Sequence, residues 1–250
     1  MPENEKILIN RYIELASRAA GRGIFTNSEF LSAAEQNTLS RLPAQSLAAP
    51  YAFYGGYAAA ERQIAVFGSE KLCGYTITPP ITCLCAAPVS PKFADLLTHR
   101  DFLGALMALG IRREVVGDIV LQDKYGYIFC LQSIADYICK NFTEVKRTCV
   151  QCTPCSADSF IIKPPAQSQV VIASERLDAL IAAVYQLPRA ISADLISSGR
   201  VAVNSRLTEK ISAAVTKGAV ISVRGYGRFI YEGVERETRK GKLRALVRIY

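Results

Sequence analysis

Lys217-Gly218-Ala219-Val220-Ile221-Ser222-Val223-Arg224-Gly225-Tyr226-Gly227-Arg228-Phe229 closes a stretch that opens at Arg176-Leu177-Asp178 and decides how the last third of the chain folds. Within it, Leu177, Leu180, Ile181 and Val184 recur at helical spacing, so 175–185 reads as an amphipathic helix. Ser174 is placed to cap it, and Glu175 and Asp178 put negative charge in the first turn, where the helix dipole favours it. Pro188 suits the start of a second helix with Ile191, Leu195 and Ile196 as its buried stripe and Gly199 as its stop. Val201 and Val203 alternate with Ala202 as a short strand, Asn204-Ser205 is turn chemistry, and 220–223 forms another strand that bends at Gly225 and Gly227. The expectation is two short helices packed against a small twisted sheet.

Charge gives this module a chemistry. From Ser174 to Tyr250 the chain carries 14 Lys and Arg against 7 Asp and Glu, whereas residues 1–173 hold 16 against 15. A compact basic module after a near-neutral body is the electrostatic footprint of a nucleic-acid binder. Arg189 stands where a helix N-terminus already attracts phosphate. Arg176, Arg200, Arg206, Lys210, Lys217, Arg224 and Arg228 fall at helix ends, turns or strand edges, from which long cationic side chains reach outward. With Asn204 in the turn between them, these residues are the candidate RNA contacts.

The order Arg176-Leu177-Asp178, Pro188-Arg189, Ser198-Gly199-Arg200-Val201, Val203-Asn204, Lys217-Gly218 and Val223-Arg224-Gly225-Tyr226-Gly227-Arg228-Phe229 resembles the ribosomal-protein-S-four type of RNA-binding domain, also called the alpha-L module. It departs from that pattern at Pro188 and Ala190, where the family often has serine.

The remainder of the 250 residues, half of them apolar, is enough for one or two further domains. Residues 1–72 read as mostly helical. Ile7, Leu8, Tyr12, Leu15 and Ala19 line a first helix, Thr26-Asn27-Ser28 caps a second, and 58–67 is expected to form a third. The aromatic run Tyr51-Ala52-Phe53-Tyr54-Gly55-Gly56-Tyr57 is read as packing rather than as a base-stacking surface. Residues 73–163 switch to α+β, with a strand at 82–87, a helix at 100–109 boxed by Thr98 and Asp101, and a hairpin turning at 123–126. A helix capped by Ser133 and Asp136 and a last strand at 143–150 complete a split βαβ, ferredoxin-like domain of the RNA-recognition-motif kind. Residues 164–173, opening on Pro164-Pro165, read as a linker to the basic module at 174–250.

No apolar run is long enough to cross a bilayer, and Met1-Pro2-Glu3-Asn4-Glu5-Lys6 is unlike a secretory signal, so a cytoplasmic protein without membrane contact is expected. The eight cysteines then read as reduced thiols. Cys149, Cys152 and Cys155 have knuckle-like spacing, but no second pair accompanies them, so neither metal nor cofactor is expected.

Phe53-Tyr54-Gly55-Gly56-Tyr57, Ala60-Glu61-Arg62, the run from His99 to Arg113, Gly117-Asp118-Ile119 and Arg239-Lys240-Gly241-Lys242-Leu243-Arg244 are similar to the YlmH family of bacterial RNA-binding proteins. The resemblance implies a helical N-terminal region, an RNA-recognition-motif-like domain and a C-terminal S-four module. It also implies a factor that binds structured rRNA or tRNA on the large ribosomal subunit, in translation or ribosome-associated quality control. A monomer with no small-molecule substrate is expected. His99-Arg100-Asp101 superficially resembles the catalytic motif of pseudouridine synthases, but it continues as a capped helix, so a non-catalytic factor is expected. An RNA-modifying enzyme using Asp101, and a scaffold whose RNA binding is incidental, stand as alternatives.

Overall fold

The computed structural model describes residues 3–57, 60–156, 166–204, 206–238 and 241–249. It divides into two compact units, Met1–Ile162 and Lys163–Tyr250.

The first unit opens with helix α1 (Glu3–Arg22), which buries Tyr12, Leu15, Ala16 and Ala19 along one stripe. Strand β1 (Thr26–Asn27) follows, then helix α2 (Ala33–Ser40), held at its start by a reciprocal box between Ser32 and Glu35. Strands β2 (Tyr51–Tyr54) and β3 (Ile64–Phe67) complete a three-stranded antiparallel sheet in the order β1-β3-β2, before the short helix α3 (Glu70–Cys73). The sequence-based expectation of a helix over 58–67 is corrected here, although Ala58 and Ala59 lie outside the described residues. Ile64-Ala65-Val66-Phe67 is the central strand and is buried on both faces. A short, fully apolar run has no period with which to tell strand from helix.

The middle of this unit runs β4 (Ile81–Pro88), α4 (His99–Ala108), β5 (Val116–Gln122), β6 (Tyr125–Leu131), α5 (Gln132–Asn141), β7 (Glu144–Val145) and β8 (Thr148–Cys155). The five strands pair antiparallel in the order β5-β6-β4-β8-β7. That is a split βαβ sheet with one extra edge strand. Leu84, Ala86, Ile128, Cys130, Val150 and Cys152 face Phe102 and Leu106 of α4 and Ile138 of α5. The alternate residues Cys83, Tyr127 and Phe129 gather on the opposite face. Two local expectations change. Leu131, not Ser133, is the N-cap of α5, and 143–150 is not one strand, because Lys146 turns the chain at φ 55 between β7 and β8.

The second unit contains β9 (Ala166–Ile172), α6 (Leu177–Val184), α7 (Arg189–Ser197), β10 (Val201–Val203), β11 (Arg206–Leu207), β12 (Val220–Val223), β13 (Gly227–Glu237) and β14 (Leu243–Ile249). Its six strands are ordered β11-β10-β12-β13-β14-β9. Leu180, Ile181, Leu195 and Ile196 of the helices pack with Ile221, Val223, Phe229, Tyr231 and Val247 of the sheet in one core. The expected linker at 164–173 is corrected. Pro164 and Pro165 lie outside the described residues, but 166–172 forms the edge strand β9, paired with β14 from Leu243↔Ile172 to Ile249↔Ala166. Arg176, not Ser174, is the N-cap of α6. Ile191 is 44% exposed, and Ser192 takes its place in the buried stripe of α7, its hydroxyl donating to the Pro188 carbonyl at 3.4 Å.

Candidate nucleic-acid interface

The starts of α6 and α7 meet at one carboxylate. Asp178 is buried in the first turn of α6 and accepts from Nε and Nη2 of Arg176 at 3.0 and 3.2 Å. It also accepts from Nη2 of Arg189, the first residue of α7, at 2.7 Å. Such charge-assisted bonds fix the plane of a guanidinium as well as its position. Both arginine side chains stay about half exposed, so each presents its unused edge to solvent. Burial opposes ionisation of Asp178, but the bonds from Arg176 and then Arg189 outweigh it and hold the carboxyl below its ordinary range. Asp178 therefore stays anionic and orients two cations at adjacent helix starts, where unsatisfied N–H groups and the helix dipole also favour an anion.

A second group forms at one end of the β12–β13 hairpin. Arg200 Nη2 donates to the Arg224 carbonyl at 3.3 Å, and the Arg224 amide donates to the Arg200 carbonyl at 2.9 Å. Arg228 lies in register with Ser222 on the next strand. Gly225 and Gly227, at φ +91 and +113, turn the chain between them, and the Tyr226 amide closes the turn on the Val223 carbonyl at 3.0 Å. Tyr226 packs on Tyr185 with ring centroids 5.4 Å apart. The Tyr185 hydroxyl is the buried side-chain oxygen without a hydrogen-bond partner among the described residues, and burial pushes its pKa up to about 12.

The other expected residues lie elsewhere in the unit. Asn204, at φ +48, is a turn residue whose amide donates to the Val220 carbonyl at 2.8 Å and whose Oδ1 accepts from the Val220 amide at 2.9 Å. Lys217 stands near that end of β12, its aliphatic stem alongside Gly233. Lys210 is exposed in the segment that leads to the bridge between Arg176 and Ala214. The side chain of Arg206 lies outside the described residues, although its backbone belongs to β11. Thus Arg176 with Arg189, and Arg200 with Arg224 and Arg228, are brought together, while Asn204 and Lys217 stand at the opposite end of β12. Sequence reasoning gave Asp178 only a dipole role. The available signal was an acid framed by two arginines at successive helix starts.

In the first unit, Asp118 of β5 latches the loop after β2. Its carboxylate accepts from the Tyr57 hydroxyl at 2.8 Å and from the amides of Glu61 and Arg62 at 2.7 and 3.0 Å. Arg62 in turn donates to the carbonyls of Val116 at 3.2 Å and Phe30 at 2.8 Å. Asp101 caps α4, accepting from the Thr98 amide and hydroxyl, both at 2.8 Å, and pairing with Lys146 at 2.9 Å. The Lys146 bond, then the Thr98 bonds, lower its pKa to about 2. Among the described residues no group of three or more His, Cys, Asp or Glu side chains is placed to hold a metal ion. Strand alternation is the reason at β8: Cys152 faces the helices and Cys149 the other side, so their knuckle-like spacing cannot converge. Among the described residues no helix is long and apolar enough to cross a membrane.

These features define an α+β protein in which a split βαβ sheet domain is followed by a basic unit of two helices on an antiparallel sheet. Residues 82–159, which span that sheet domain, match the family model described as "Putative RNA-binding domain in YlmH". The chain is 30% identical over 223 residues to the Ribosome-associated protein quality control protein P2 of Bacillus subtilis (strain 168), covering 87% of this chain and 84% of that protein. Its fold matches the structure of cell division protein ylmH from Streptococcus pneumoniae with a TM-score of 0.51 at 17% identity, over 64% of this chain and 96% of that one. The chain belongs to the YlmH family.

Proposed function

We propose that this protein is a non-catalytic factor that binds structured rRNA or tRNA on the large ribosomal subunit, as a cytoplasmic monomer acting in ribosome-associated quality control. The basic unit is read as an S-four-type RNA-binding module, and the cations that Asp178 orients are its phosphate contacts. The observation that carries this reading is that geometry: one buried carboxylate aligns Arg176 and Arg189 at two neighbouring helix starts, with an outward edge left on each. The similarity to a protein named for ribosome-associated quality control supports the biological setting. Asp101 supports the absence of catalysis, since Thr98 engages its Oδ2 and Lys146 its Oδ1.

The reading is tested by recovering ribosomal subunits from cells that carry a tagged copy of the protein. Co-sedimentation with the large subunit, lost when Arg189 and Arg224 are both changed to Gln, supports it. Sedimentation apart from ribosomes in every condition contradicts it.

A further inference from the structure

A cleft of about 490 Å³ opens beside the Asp118-latched loop of the first unit. Its volume lies within the roughly 300–1,000 Å³ range of sites that enclose small ligands or single ligand groups. Tyr54 and Tyr57 are its aromatic lining residues, Ile81 an apolar one, and Gln63 and Thr78 bear an amide and a hydroxyl, while Phe53, on the other face of β2 from Tyr54, turns its ring to Tyr51. Among the described residues no charged side chain lines it. Flat aromatic walls, a side-chain amide that both donates and accepts, and no charge suit a neutral, planar, hydrogen-bonding ring rather than a phosphate.

The surroundings hold this shape. Gly56, at φ +91, leaves no room for a Cβ, which would stand 2.4 Å from Phe129. The Tyr57 ring packs on Phe129 at 4.8 Å, and its hydroxyl is anchored on Asp118. That packing has a consequence for recognition. Sheets of the RNA-recognition-motif kind stack bases on aromatics of the helix-free face. Here Phe129, the aromatic at the centre of that face, is 1% exposed beneath Tyr57. Among the residues that line the cleft, which reaches Ile81 at the start of β4, the exposed aromatic is Tyr54, 43% exposed at the end of edge strand β2.

We infer that this cleft receives one unstacked nucleobase of a bound RNA, with Tyr54 as its stacking surface and Gln63 and Thr78 as its hydrogen-bonding edge. The inference rests on the RNA-binding reading above. It adds a base contact to the phosphate contacts of the basic unit.

The test uses the full chain and a single-stranded five-nucleotide RNA with 2-aminopurine at its centre, compared with the same RNA made abasic there. The wild-type protein should quench the 2-aminopurine and bind the base-bearing RNA more tightly than the abasic one. Tyr54→Ala should abolish the quenching and weaken binding of the base-bearing RNA by roughly 5- to 100-fold, the usual loss for one base–aromatic stack. The slope of log affinity against log salt should not change, because no phosphate contact is removed. Tyr54→Phe should behave as wild type. Equal binding of the two RNAs by the wild-type protein, or unaltered quenching in Tyr54→Ala, overturns the cleft and leaves the phosphate-binding unit standing. Absence of binding to either RNA likewise overturns the cleft, whereas the RNA-binding reading of the basic unit fails only if a structured ribosomal RNA fragment is not bound either.

Discussion

Arg189 and Asp178, eleven residues apart in the chain, meet at 2.7 Å where the two helices of the basic unit begin. Arg176 occupies the rest of the same carboxylate. Asp178→Asn keeps the shape but removes the charge, and should destabilise this unit by about 1.5–3 kcal/mol, the usual worth of hydrogen bonds to a charged group. The pH dependence follows from the lowered pKa. In the folded chain the carboxyl titrates below its unfolded value of about 3.9, so the stabilisation is complete above that value. It is lost as pH falls through the folded pKa. Urea midpoints of the wild type and Asp178→Asn should differ at neutral pH and converge in acid. A constant gap down to the acid-unfolding limit would contradict the assignment.

Asp118 is the corresponding anchor in the first unit, with one side-chain and two backbone donors on a single carboxylate. Asp118→Ala strands those donors and should cost about 2–3 kcal/mol. Equilibrium denaturation, with the midpoint lowered and the slope unchanged, is the measurement.

Two glycines give opposite expectations for the same substitution. Gly56→Ala forces a Cβ to 2.4 Å from Phe129 at a left-handed φ, and should destabilise by about 2 kcal/mol or more. Gly104 lies inside α4 with nothing within 4 Å of a Cβ, so Gly104→Ala should stabilise by roughly 0.5–1 kcal/mol through helix propensity. Thermal unfolding of both variants checks the pair.

The thiols should divide by burial. Cys149 is exposed, whereas Cys83, Cys130 and Cys152 are buried, and burial pushes Cys130 up to about 12. N-ethylmaleimide at neutral pH should modify Cys149 quickly and the buried three only on unfolding, as read by peptide mass spectrometry. Equal rates at Cys149 and Cys152 would contradict the strand alternation of β8.

What the chain discloses locally follows the range over which each element is encoded. The helices α6 and α7 are legible because their apolar residues recur within one turn, and Gly199 ends α7 at φ +67 as its position in the sequence suggests. Strand β9 is not, because Gln167 to Ile172 becomes a strand only through pairing with β14, more than seventy residues away. Ile191 and Ser192 show the same limit on one helix: polarity places Ile191 inside, and packing against the sheet buries Ser192 instead. The candidate contacts were legible as types, from charge at helix starts and turns. Their grouping was not, since the Asp178 fork and the Arg200–Arg224 exchange join residues on separate elements.

The most direct test of the account is the salt dependence of affinity for a ribosomal RNA fragment. Slopes of log affinity against log salt are compared for the wild type, Arg189→Gln and Arg224→Gln. Each phosphate contact removed should lower the slope by about one, and the double variant should lose about two, at all RNA sequences tried. Slopes identical to wild type in both single variants would place these arginines outside the interface and contradict the claim that the basic unit grips the RNA backbone.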